Sequence, residues 1–146
     1  MRVISVVGCH KSGKTTVLEA LVSALLAHGR VGTVKHMPGH PVTQGDTWRH
    51  LRAGAEVVVG LGDGRITIER EWTLLSALRD LESRGIDFAL VEGFKSSALP
   101  KIAVGGIEAP NTLCQIELSD LDTERVSDLV RLVLDQPEID LCCSVI

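Results

Sequence analysis

A three-layer α/β fold, with helices on both faces of a mostly parallel sheet, is predicted by three observations on this sequence of 146 residues. Short β-branched apolar runs alternate with amphipathic helical stretches. Two runs, Val3-Ile4-Ser5-Val6-Val7 and Phe88-Ala89-Leu90-Val91, are almost unbroken, as strands covered on both faces are. Glycine-bounded loops follow the strands, at the sheet edge where such folds take ligands.

The elements follow in order. The first strand covers residues 3–7 and ends at Gly8. From 15 to 28 the apolar positions Leu18, Leu21, Val22, Leu25 and Leu26 recur at helical spacing, and Gly29 stands where a C-terminal cap belongs. A second strand over 31–35 leads through a Gly/Pro/His loop to a short helix over 47–53 and a strand over 56–59. Asp63 and Gly64 turn the chain, and 65–69 alternates as a half-exposed strand does, so 56–69 reads as a β-hairpin at a sheet edge. A helix over 73–84 precedes the buried strand 88–91, and strands follow near 102–104 and 113–117. A last helix carries Val126, Leu129, Val130 and Val133 on one face, with Pro137 beyond its end. No repeat, low-complexity tract or linker interrupts this order, so 1–146 is expected to form a single domain.

Composition narrows the function. Aromatic residues are 3% of the chain, without tyrosine, so base-stacking platforms for single strands are not expected. Fifteen Lys and Arg against 19 Asp and Glu give a net charge of −4, which argues against a broad basic face for nucleic acid or acidic lipid. The apolar runs are too short, or carry charge, to cross a membrane or form a signal peptide. Cys9, Cys114, Cys142 and Cys143 show no CxxC spacing, so reduced thiols and a cytoplasmic setting are expected. The final Cys143-Ser144-Val145-Ile146 matches a prenylation box formally, without the polybasic run that usually precedes one.

The chemistry concentrates after the first strand. Gly8-Cys9-His10-Lys11-Ser12-Gly13-Lys14-Thr15 is a full match to G-x-x-x-x-G-K-[ST], between a buried strand and an amphipathic helix as that motif requires. The glycines let backbone N–H groups fold round an oligophosphate, and the helix N-terminus adds positive potential. Lys14 is placed to reach the β and γ phosphates, and the Thr15 hydroxyl to ligate Mg²⁺. Thr16 lies in the first helical turn behind them. Of the five lysines, Lys11, Lys14, Lys35 and Lys95 fall at or just past strand C-termini, and Lys101 does not. The strand 88–91 delivers Glu92, then Gly93, to the same edge, a Walker B arrangement with Glu in place of Asp. Asp46 is either a helix N-cap or a second magnesium carboxylate. His36 and His40 are four apart, but Pro38 and Gly39 break any helix that would pair them on zinc.

These strings, with Val34-Lys35-His36, Asp46, Leu51-Arg52-Ala53-Gly54-Ala55, Val91-Glu92-Gly93-Phe94-Lys95 and Pro100-Lys101-Ile102, make the first two thirds of the chain resemble the MobB family of small P-loop proteins. The resemblance implies a P-loop NTPase fold and a homodimer that binds GTP with Mg²⁺ and hydrolyses it weakly. It implies work beside a guanylyltransferase at the nucleotide-attachment stage of molybdenum cofactor assembly. Matching positions give Gly13, Lys14 and Thr15 to phosphate and magnesium, set Asp46 and Glu92 near the metal, and line the edge with Lys35, His36 and Lys95. Lys14, Asp46 and Glu92 are then the candidate catalytic residues.

Two departures bear on the nucleotide. The Asn/Thr-Lys-x-Asp string that reads guanine elsewhere is absent, so the residues alone do not select GTP over ATP; Ser119 or Asp120, after the strand 113–117, is the candidate acceptor from guanine. Cys9 replaces the extra lysine of the dimeric partition ATPases, which speaks against that class. A non-enzymatic adaptor that binds GTP or carries the pterin nucleotide is the main alternative. A small-molecule kinase is a weaker one, because the stretch 65–84 reads as hairpin and helix rather than an Arg-rich lid.

Overall fold

The computed structural model describes residues 1–37, 46–69 and 72–141. The expectations that fall on His40 and on the Cys143 to Ile146 box lie outside these residues. The chain divides into two compact units, Met1–His36 with Leu74–Ile146, and Met37–Thr73.

The larger unit holds β1 (Arg2–Gly8), α1 (Lys14–Leu25), β2 (Val31–Lys35), and the smaller one holds α2 (Asp46–Arg52), β3 (Val57–Leu61) and β4 (Arg65–Glu69). The larger unit then continues with α3 (Leu74–Ser83), β5 (Phe88–Glu92), β6 (Lys101–Val104), β7 (Thr112–Ile116) and α4 (Thr123–Leu134). Strands order as β2-β5-β1-β6-β7, every neighbouring pair parallel. The chain builds to one side of β1 and then crosses to the other, so the carboxyl end of β1 is the crevice where such sheets take ligands.

The unbroken apolar runs are explained by burial on both faces. Ile4 and Val6 of β1, with Phe88 and Leu90 of β5, pack with Leu18, Leu21 and Leu25 of α1 and Leu129, Val130 and Val133 of α4. The alternate residues Val3, Ala89 and Val91 face the opposite layer, with Leu74 and Leu78 of α3 and Leu99. Helix α4 is started by Asp122, whose carboxylate accepts from the Arg125 amide at 2.7 Å. Leu21 is fully buried between α1 and the sheet; Leu21→Ala should lower unfolding free energy by about 3 kcal/mol, read as a shift in urea midpoint at constant slope.

Three expectations are corrected. The hairpin exists, but β3 and β4 form a two-stranded antiparallel sheet of their own, and the edges of the parallel sheet are β2 and β7. Its half-buried pattern has a local cause: α2 packs on both hairpin strands, and the buried residues of this unit include Leu51 and Val58. Gly29 is not a left-handed cap; α1 stops at Leu25, the amides of His28 and Gly29 close on the Leu25 carbonyl, and the glycine makes room for the Asp87 side chain. Asp46 is the first residue of α2 rather than a residue ahead of it. Among the described residues no helix is long and apolar enough to cross a membrane.

Candidate functional site

The site grows from the bend between β1 and α1. Gly8 ends β1 so close to its neighbours that a side-chain methyl would collide with Ser12 Oγ and stand 2.7 Å from the Val104 carbonyl oxygen. Lys11 adopts φ 60 and Gly13 φ 94, turning the chain back on itself, while the Ser12 amide donates to the Cys9 carbonyl at 3.3 Å. Lys14 opens α1, and the first-turn amides of that helix have no intrahelical acceptor. Its ammonium lies across the loop on the Cys9 carbonyl oxygen at 2.6 Å. The Ser12 hydroxyl oxygen is buried and has no hydrogen-bond partner. A cradle of amides, one bridging cation and one orphaned hydroxyl has the chemistry of an oligophosphate site.

Glu92 closes the cradle from β5. Its Oε2 accepts from Thr15 Oγ1 at 3.1 Å and pairs with Lys35 Nζ at 3.2 Å. The Glu92 side chain is 12% exposed and that of Lys35 52% exposed, so the carboxylate is fixed and the ammonium keeps donors for solvent or ligand. Thr15 and Glu92 together suit Mg²⁺, which keeps most of its shell as water and phosphate oxygen and needs only one or two protein groups. No cluster of three His, Cys, Asp or Glu side chains among the described residues is placed to hold a metal.

The sequence therefore pointed to residues that meet. Gly8, Cys9, His10, Lys11, Ser12, Gly13, Lys14 and Thr15 form the loop and helix start, Thr16 follows within α1, and Lys35 and Glu92 join them from β2 and β5. His36 and Lys95 follow Lys35 and Glu92 past the same strand ends. Asp46 lies in the smaller unit, where its exposed carboxylate pairs with Arg49 at 3.3 Å. Ser119 and Asp120 sit on a 3₁₀ turn over Leu118–Asp120, where the serine hydroxyl donates to Asp120 at 2.9 Å.

Three contacts were not visible in the sequence. The Leu118 side chain packs so tightly over Gly13 that a Cβ there would lie 2.7 Å from its methyl, which sets the Ser119 and Asp120 turn beside the cradle. The His36 imidazole stacks on Phe94, with centroids 4.3 Å apart and planes at 22°. Lys101 is fully buried and donates to the carbonyls of Ser97 at 2.5 Å, Leu99 at 2.8 Å and Pro110 at 2.9 Å.

Comparison with known proteins adds the following. The family model of molybdopterin guanine dinucleotide synthesis protein B matches residues 3–120. The chain is 36% identical over 110 residues to a probable molybdopterin-guanine dinucleotide biosynthesis adapter protein of Bacillus subtilis, covering 70% of this chain and 64% of that one. It is 33% identical over 122 residues to the molybdopterin-guanine dinucleotide biosynthesis adapter protein of Haemophilus influenzae, covering 78% of this chain and 68% of the other. The chain thus spans about two thirds of the length of these relatives. The crystal structure of Bacillus subtilis MobB superposes with a TM-score of 0.72 at 24% identity, over 93% of this chain and all of the other, a likeness of fold.

Proposed function

The chain belongs to the molybdopterin guanine dinucleotide synthesis protein B family, and from that premise we propose that it is a cytoplasmic GTP-binding protein with weak Mg²⁺-dependent GTPase activity that assists the guanylyltransferase of molybdopterin guanine dinucleotide formation. The observation that carries this reading is the Gly8 to Thr15 cradle closed by Glu92 through Thr15. The loop amides and Lys14 hold the phosphates, and Thr15 and Glu92 hold the magnesium ion. Bound there, magnesium would neutralise charge on the phosphate oxygens. Lys35 fixes Glu92, and Ser119 or Asp120, beside the cradle through Leu118, is the candidate acceptor from the guanine edge.

Slow turnover fits the state of the arginine that follows Asp46 on α2. Arg49 is 82% exposed on its side chain and paired with Asp46 on a helix surface, which gives no support for an arginine finger worth about 10³ to 10⁵ in rate. A partner would then supply the missing charge. The homodimer draws support from the hairpin, which exposes Val57, Val59, Leu61 and Ile66.

Phosphate release from Mg·GTP, measured with and without the guanylyltransferase, tests the reading. Glu92→Gln should weaken magnesium affinity by about 10 to 100-fold, because it removes the charge that faces Thr15. Turnover unaffected by that change would overturn the metal assignment. The names of the two relatives favour a second reading, a non-enzymatic adaptor. The adaptor must still support dinucleotide formation with a non-hydrolysable GTP analogue, whereas an obligatory GTPase must not.

A further inference from the structure

The parallel sheet is unevenly covered. Parallel strands are normally joined by helices, and those helices blanket both faces. Helices α1 and α4 do so on one face, and α3 lies toward β2 on the other. Residues 93–100 link β5 to β6, and residues 105–111 link β6 to β7, with no helix in either connection. The second face is therefore covered by loops where it reaches β6 and β7.

At the amino ends of these strands the loops leave a groove of about 530 Å³, a volume suited to a specific ligand. It opens between the end of the 93–100 connection, the start of β7, Val3 of β1 and the segment 136–140 that follows α4. Val3 and Gly8 stand at opposite ends of β1, roughly 17 Å apart, so the groove is remote from the phosphate cradle. Its walls are apolar: Val3, Pro100, Leu113 and Ile139 contribute, and Leu113 is 43% exposed although it belongs to a strand.

The polar atoms of the groove are acceptors. The Asn111 side-chain amide donates to the Ala98 carbonyl at 2.7 Å, the Thr112 hydroxyl to the Ala109 carbonyl at 2.7 Å, and the Gln136 side-chain amide to the Leu132 carbonyl at 3.1 Å. With these donors turned into the protein, the groove offers the amide oxygens of Asn111 and Gln136 and the Glu138 carboxylate. The Met1 ammonium and the Arg2 guanidinium stand 3.6 and 3.7 Å from Glu138, beyond hydrogen-bond length, and its side chain is 67% exposed. The charge around the groove has one sign. Residues 102–124 and 132–141, which supply most of its walls, contain acidic side chains and no basic one.

We infer that this groove docks a partner protein through an apolar segment that carries an arginine. The guanidinium is a planar fork of donors, matched to several converging acceptors and to negative charge. The apolar neighbours of that arginine cover Leu113 and Ile139, which a free cation would leave in water. The segment supplies the cover that a crossover helix gives elsewhere in the sheet.

The test is a titration of the ¹⁵N-labelled full chain with the peptide acetyl-Val-Leu-Arg-Leu-Val-amide, followed by amide chemical shifts. Shifts should centre on Val3, Leu113 and Ile139. Citrulline in place of the arginine keeps the shape and removes the charge, and should weaken binding about 10-fold. Leu113→Lys, which sets a cation in the apolar wall, should weaken it by about 10-fold or more, and Glu138→Gln by about 2- to 5-fold. Leu26→Lys, a matched change at the exposed end of α1, should leave the affinity unchanged. Absence of binding, equal affinity for the two peptides, or shifts centred elsewhere would overturn the inference. So would arginine amide alone binding as tightly as the peptide, which would make the groove a site for a small cation. Groove shifts that arise on concentrating the protein without peptide would give the surface to a second copy of the chain and likewise overturn it.

Discussion

Replacing Lys14 with alanine should weaken Mg·GTP binding by at least about 100-fold in isothermal calorimetry, close to 3 kcal/mol, while leaving the thermal midpoint of the protein almost unchanged. The ammonium lies across the loop on the Cys9 carbonyl at 2.6 Å, within the loop whose amides would receive the anion. Two charge-assisted hydrogen bonds to phosphate oxygens, each worth about 1.5 to 3 kcal/mol, account for a loss of this size. The cost to folding is small because the Lys14 contact is exposed, and water satisfies the carbonyl it leaves behind. Lys14→Arg should be nearly as damaging to binding, since a guanidinium is a planar fork and the loop was shaped around a compact point charge. Undiminished affinity in both variants would remove the basis for reading the loop as a phosphate site.

Why this much could be read before the structure follows from where the information sits. The cradle is contiguous: its glycines, cation and hydroxyl occupy eight successive positions, and the flanking strand and helix announce themselves by period. Glu92 was equally legible, because an apolar run covered on both faces can end in a carboxylate only where the strand leaves the core. What stayed hidden depends on which loops meet. Leu118 lies over Gly13 because β7 and β1 flank β6, an adjacency that no local string encodes. His36 and Phe94 meet because β2 and β5 are neighbours although residues 36–87 separate the two strands in the chain. The hairpin carried the right alternation and the wrong destination, since a half-buried face says nothing about whether a sheet or a short helix covers it.

Lys101→Met should destabilise the protein by about 3 to 5 kcal/mol in urea unfolding, a large part of the total stability of a chain this size. The sequence placed Lys101 apart from the other lysines without revealing its purpose. Strands β5 and β6 are parallel and flank β1, yet only residues 93–100 join them, fewer than the dozen or more that a helical crossover takes. Their connection has no helix to satisfy its own carbonyls. Lys101 does this, donating to Ser97 and Leu99 on the crossing segment and to Pro110 before β7. Three acceptors call for three N–H donors, which the ammonium has and the neutral amine lacks. Burial nevertheless pulls the pKa of Lys101 below the ordinary lysine value. With the native value lower than the unfolded one, the unfolded chain binds more protons between them, so this group's contribution to stability rises with pH in that alkaline window. Methionine fills much of the same volume but strands the three carbonyls, which is why the loss is large. Lys95→Met, a change at an exposed lysine on the same segment, should stay within about 0.5 kcal/mol of the wild-type protein. Equal stabilities for the two variants would mean that the crossing segment is held by its apolar anchor Leu99 and that the buried ammonium contributes nothing to it.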